Sequence, residues 1–122
     1  MANIGGNITG IIQTKTAKKD EAGNLVKNGI GETVIEWAEA YSSLGWLGLQ
    51  NGDSKRNNFK TKLEESSHVF LCDYHEGIYA LADQDVRMII KGNMYDVLLI
   101  DNPDEMNEQL EIYLRKVGGQ NG

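Results

Sequence analysis

Between Gln109 and Val117, apolar and polar residues alternate. Leu110, Ile112 and Leu114 share one side, and Glu111, Tyr113 and Arg115 share the other. A period of two places successive side chains on opposite faces, so the segment is expected as a half-exposed strand. Upstream, Val86–Lys91 and Met94–Ile100 are two apolar runs joined by Gly92 and Asn93. Both joining residues tolerate positive φ, and the spacing predicts a tight hairpin. Ser66–Tyr74 is rich in β-formers and apolar on both faces. That pattern belongs to a strand covered on both sides, by its own fold or by a neighbouring subunit.

The first half is harder to read. Ile8–Thr16 predicts a strand, followed by a polar arm from Lys15 to Gly31. Within the arm, Ala22-Gly23-Asn24 and Asn28-Gly29 are turn signals, which suggests one long hairpin reaching away from the body. Thr33–Leu44 supports two readings. Val34, Trp37, Ala38, Tyr41 and Leu44 recur at helical spacing, and Thr33 with Glu36 resembles a capping box, so pattern alone slightly favours a helix. As a strand, Thr33, Ile35 and Trp37 share a face. The stretch from Leu44 to Glu65 is Gly-rich and basic, with a short helix expected around Phe59 and Leu63. No internal repeat is evident, and nothing divides the chain. The secure elements are short strands separated by turns, which indicates a small barrel or sandwich.

Composition narrows the class. The 122 residues suit a single domain, with 1–7 and 118–122 expected as frayed tails. No stretch approaches the roughly 18 apolar residues of a membrane span, and Met1–Asn7 lacks a signal-like apolar run, so a soluble protein made in a cytoplasm is expected. The single cysteine, Cys72, excludes an internal disulfide. A net charge of −6 makes the chain a poor candidate for gripping DNA over a broad face, since such binding needs clustered cations. It remains compatible with lining a passage through which DNA slides.

Several of these features together resemble the head–tail joining (head-closure, or stopper) proteins of long-tailed bacteriophages. They are the opening strand Ile8–Thr16, the polar arm with its acidic-x-Gly turn at Asp20–Asn24, the Trp37-Ala38 pair, and a strand opening on Ser67-His68-Val69. Clearest is the run from Asp85 to Val117: an Arg-x-hydrophobic strand, a Gly-Asn turn, a Tyr-x-Val strand, an Asp-Asn-Pro turn and a closing Leu-x-Ile strand. The resemblance covers roughly residues 8–117. Two stretches depart from the pattern, a long linker over Gly45–Glu65 and extra residues over Tyr74–Asp83.

The resemblance implies a mainly β fold, a small antiparallel barrel of about six strands with long loops and room for one short helix, in which the Trp37 segment is a strand. It also implies a structural protein of the virion neck, without enzymatic activity. Identical copies would form a ring under the portal and its adaptor, close the DNA-filled head, touch passing double-stranded DNA, and offer the tail a docking surface. The alternatives are a tail-completion protein and a monomeric peptide-binding adaptor.

Candidate chemistry adds little. Cys72 lies near His68 and His75, but four residues along a strand separate Cys72 from His68 by roughly 13 Å, too far to activate a thiol. His68, Cys72, Asp73 and His75 lack the paired spacing of structural zinc ligands. No phosphate-binding loop is present, because the glycines at 45, 48 and 52 lack a following Lys-Ser/Thr. No cofactor or metal is expected. Two charge clusters carry more weight: Lys55, Arg56, Lys60 and Lys62 are basic, while Asp101, Asp104, Glu105, Glu108 and Glu111 are acidic. A contact between one subunit's basic loop and the next subunit's acidic turn would build a ring. Docking or gating is expected at Lys18, Lys19 and Asp20 in the arm, and at Gly45, Trp46, Gly48 and Gly52 in the linker.

Overall fold

The computed structural model describes residues 4–49 and 66–117. Its strands are β1 (Ile8–Ala17), β2 (Ile35–Leu49), β3 (His68–Asp73), β4 (Val86–Ile90), β5 (Asn93–Asp101) and β6 (Gln109–Lys116). They close a barrel in the order β1-β2-β3-β6-β5-β4, with β4 returning to β1 and every pairing antiparallel. A four-residue helix, α1 (Glu76–Tyr79), covers one end. The expected mainly β barrel is therefore the fold, but its described helix falls at 76–79. The helix expected near Phe59 and Leu63 lies outside the described residues.

Alternation decides the interior. Leu110, Ile112 and Leu114 of β6 are buried and meet Phe70 and Cys72 of β3, Met88 and Ile90 of β4, Tyr95 and Ile100 of β5, and Ile12 of β1. Ile78 of α1 joins the same cluster from the end. Among the described residues Phe70 is the largest side chain wholly inside, and two glycines make room for it. A Cβ at Gly45 would strike its ring and the Leu71 carbonyl, and one at Gly10 would press on Met88 and on Phe70. Gly45 and Gly48, with Trp46 between them, thus belong to β2 and not to a loop as the sequence suggested. Gly45 is there because the interior has no space for a side chain.

Thr33–Leu44 is no helix. Ile12 pairs with Tyr41 but Gln13 pairs with Glu39, so Ala40 is an extra residue in β2. A bulge of this kind flips the faces beyond it. Tyr41 pairs with Ile12 on the inner side, whereas Trp37 pairs with Lys15 and lies on the outer side. The flip breaks the period of two and leaves apolar residues at spacings that mimic a helical stripe.

The β4–β5 hairpin turns on Lys91 and Gly92, at φ 52° and 79°, with Ile90 opposite Asn93. Positive φ at both central residues suits the twist of the flanking strands. The turn sits one residue earlier than the sequence implied.

Beyond the barrel wall, β1 and β2 continue as a two-stranded ribbon tipped by the arm. The arm is not one long hairpin. It is a tandem of two eight-residue units, Lys19–Val26 (KDEAGNLV) and Lys27–Val34 (KNGIGETV). In the first, Asp20 Oδ1 accepts from the N–H groups of Ala22 and Asn24, Asp20 N donates to Asn24 O, and Gly23 N donates to Asp20 O. In the second, Asn28 Oδ1 accepts from Ile30 and Glu32, Asn28 N donates to Glu32 O, and Gly31 N donates to Asn28 O. Gly23 and Gly31 both have φ 88°, and the bridges Lys19–Leu25 and Lys27–Thr33 correspond. A ring of backbone bonds ties the two lobes to their stem: Lys18 N to Val34 O, Val34 N to Val26 O, and Val26 N to Lys18 O.

Candidate functional site

The antiparallel course of the strands sorts the connections between the barrel's two ends. The arm, the α1 segment and the turn between β5 and β6 lie at one end. The β4–β5 turn lies at the other, where β2 stops at Leu49 and β3 begins at His68.

At the arm end, the β5–β6 turn carries the acidic cluster on an unusual backbone. Asp104, Glu105 and Asn107 have φ of 55°, 53° and 56°. Such left-handed residues cost roughly 1–3 kcal/mol each unless held by their surroundings. The hold is the buried side chain of Asn102, whose Oδ1 accepts from Asn107 N at 3.1 Å and whose Nδ2 donates to Asn107 Oδ1 at 2.8 Å. Asp104, Glu105 and Glu108 are exposed, and Met106 between them is 57% exposed. Asp101 and Glu111 face each other across β5 and β6, and Tyr113 Oη donates to Glu111 Oε1 at 2.8 Å.

Lys18, Lys19 and Asp20 sit in the arm as expected. Lys18 and Lys19 are exposed, while the Asp20 carboxylate is occupied as the cap of the first lobe. The sequence reading missed the apolar residues beside them: Leu25 is 46% and Ile30 is 78% exposed. The repeated Lys-Asp/Asn-x-x-Gly-x-x-Val spacing was the signal available for the two lobes.

On the barrel's outer face, Trp46 pairs with Leu71 and is 45% exposed. Its Nε1 donates to Ile4 O at 2.8 Å, and Ile4 N donates to Asp73 Oδ1 at 2.6 Å, so the chain before β1 straps the indole down. Trp37, on the outer side of the ribbon, lies under the Arg87 guanidinium at 4.4 Å and near Lys15 Nζ at 5.6 Å. Lys55, Arg56, Lys60, Lys62 and Gly52 lie outside the described residues. The segment that holds them leaves β2 and enters β3 at the end opposite the acidic turn.

The residues around Cys72 are engaged in packing and capping. Cys72 is buried, and that burial pushes its thiol up to about 11, away from the thiolate form a nucleophile needs. His75 Nδ1 accepts from Gly77 N at 3.0 Å and from Ile78 N at 3.3 Å, capping α1, with its ring against Tyr41. His68 Nδ1 lies 2.9 Å from Ser67 Oγ, and its ring meets Tyr95 edge-on. Asp73 is taken by Ile4 N. Among the described residues, no three of His, Cys, Asp and Glu converge as a metal would require.

The model of the phage head completion protein family matches residues 11–117, from β1 to the end of β6. The chain belongs to that family. No curated protein sequence matches it. As a head completion protein it is a structural component of a phage virion, acting in head closure and meeting other head and tail proteins. The described residues contain no helix long and apolar enough to cross a membrane.

Proposed function

We propose that this head completion protein assembles as a ring of identical subunits beneath the portal and its adaptor, closes the DNA-filled head, and presents the surface on which the tail docks. Its work in this reading is mechanical, without catalysis. The observation that carries it is a closed antiparallel barrel from which the described projecting features, the β1–β2 ribbon with its arm and the β5–β6 turn, extend at one end. Contacts then pass through the arm, the acidic turn and the outer face with Trp46 and Leu71. The net charge of −6 suits a passage along which DNA slides without adhering. Which element meets the DNA is part of the same proposal; the segment following Leu49 and the arm are the two candidates.

The test is a phage whose gene is stopped at Trp37. Electron microscopy and nuclease treatment of the released particles should show tailless heads that have lost DNA, beside free finished tails. Filled, closed heads beside abnormal tails would move the protein to tail completion, and normal infectious particles would end the neck reading. Changing Cys72 and His75 to Ala together tests the absence of catalysis: a folded variant should still close heads.

A further inference from the structure

We propose that the two-lobed arm of one subunit docks on the acidic β5–β6 turn of the next copy of this chain, an inference that rests on the ring reading. In a ring, every subunit repeats at the same height, so two different patches that meet must lie at the same height within one subunit. With the barrel upright in the ring, the arm and the β5–β6 turn satisfy this, because both lie at the same end. The segment carrying Lys55 to Lys62 is attached at the other end.

The two surfaces are complementary in both apolar and charged groups. The arm offers Leu25 and Ile30, two large apolar side chains held outward in water, with Lys18, Lys19 and Lys27 exposed around them. The turn offers exposed Met106 between Glu105 and Glu108. Residues 15–34 hold four lysines and three acids, whereas 101–111 hold five acids and no base. Of the arm's acids, Asp20 is bonded to backbone N–H groups, while Glu21 and Glu32 are exposed beside the lysines. Both surfaces are also fixed before they meet, the arm by its cyclic backbone bonds and the turn by Asn102. Preordering reduces the entropy lost on docking, so a small contact suffices in a closed ring. Complementary charge would set the register and speed the encounter.

The test uses the full chain in phage lacking the wild-type copy. A variant carrying both Lys19→Cys and Glu108→Cys is assembled into particles and oxidised; buried Cys72 stays out of the reaction. The double variant should run as a ladder of disulfide-linked multimers, and each single variant as monomer. In parallel, the pair Lys18→Glu/Lys19→Glu and the pair Glu105→Lys/Glu108→Lys should each lower the yield of closed heads at least tenfold. Combining the two pairs should restore most of it, with thermal melting verifying that each variant folds. Absence of the ladder, or of the rescue, overturns the arm-to-turn contact. A long amine-reactive cross-linker applied to the wild-type particles separates the two levels of failure. Multimers with it but no disulfide ladder leave the ring standing and remove this contact; monomers alone remove both.

Discussion

The barrel and the arm are built from the same chain by opposite means. The barrel is held by apolar burial: Phe70, Met88, Ile112 and their neighbours are almost wholly out of water. The arm buries almost nothing, and Leu25 and Ile30 stand in solvent. It keeps its shape through side-chain caps and backbone bonds, two left-handed glycines and a closed ring among Lys18, Val26 and Val34. A body that depends on burial resists substitution on its surface, and an arm that depends on turn chemistry tolerates change anywhere but at its caps and glycines. Stability and docking should therefore be separable by mutation.

The largest expected effect strikes the barrel alone. Phe70→Ala removes a large, wholly enclosed side chain and should cost about 3–5 kcal/mol, lowering the melting temperature by roughly 10 °C or more. Gly45→Ala works from the opposite direction, forcing a methyl into the space of the Phe70 ring and the Leu71 carbonyl, at a cost of about 1–3 kcal/mol. Both are read by circular dichroism on heating. If Phe70→Ala melted like the wild type, the claim that burial holds the body would be wrong.

Next come the two arm glycines. An L-residue at φ 88° is strained, and about 1–2 kcal/mol is expected from Gly23→Ala or from Gly31→Ala. Because the lobes are equivalent, the two variants should behave alike. The amides of Val26 and Val34, which close the backbone ring, should exchange about 5- to 30-fold faster while the melting temperature hardly moves. Unequal responses would show that the two units, alike in geometry, do not share the work. A large drop in melting temperature would instead make the arm part of the body's cooperative unit.

The same contrast explains what the sequence disclosed. Strand β6 could be read residue by residue, because one buried face against one wet face enforces alternation at Leu110, Ile112 and Leu114. The β4–β5 hairpin was legible because a two-residue turn demands special φ. The arm's outline was visible but its doubling was not: the two units share Lys, Gly and Val at matching places and differ at every other position, although Asp20 and Asn28 accept the same bonds. Turn chemistry is fixed by geometry and satisfied by more than one residue, so identity is a weak guide to it. In β2 two signals misled in opposite ways. The extra Ala40 produced a false helical period, and Gly45 looked like a loop residue although it serves packing. The acidic turn was found by composition, but its left-handed backbone and the Asn102 brace depend on three-dimensional closure that no local pattern announces.

The smallest expected effect again separates the two regions, this time through pH. His68 begins β3 and packs edge-on against Tyr95, and the chain's other histidine, His75, also belongs to the barrel; the arm has none. Burial and then the nearby Lys116 ammonium hold the His68 imidazole below its ordinary range. A histidine with a lowered folded pKa takes up its proton more readily when the chain is unfolded, so acid favours unfolding. Its contribution is complete above about 6.5, the unfolded value, and is lost as pH falls through the folded value. Melting between pH 8 and pH 5 should therefore show a decline that His68→Gln reduces, while exchange at Val26 and Val34, corrected for the intrinsic effect of pH, keeps its protection. An undiminished decline in His68→Gln would remove His68 as its source, and arm protection that fell in step would mean that barrel and arm open together.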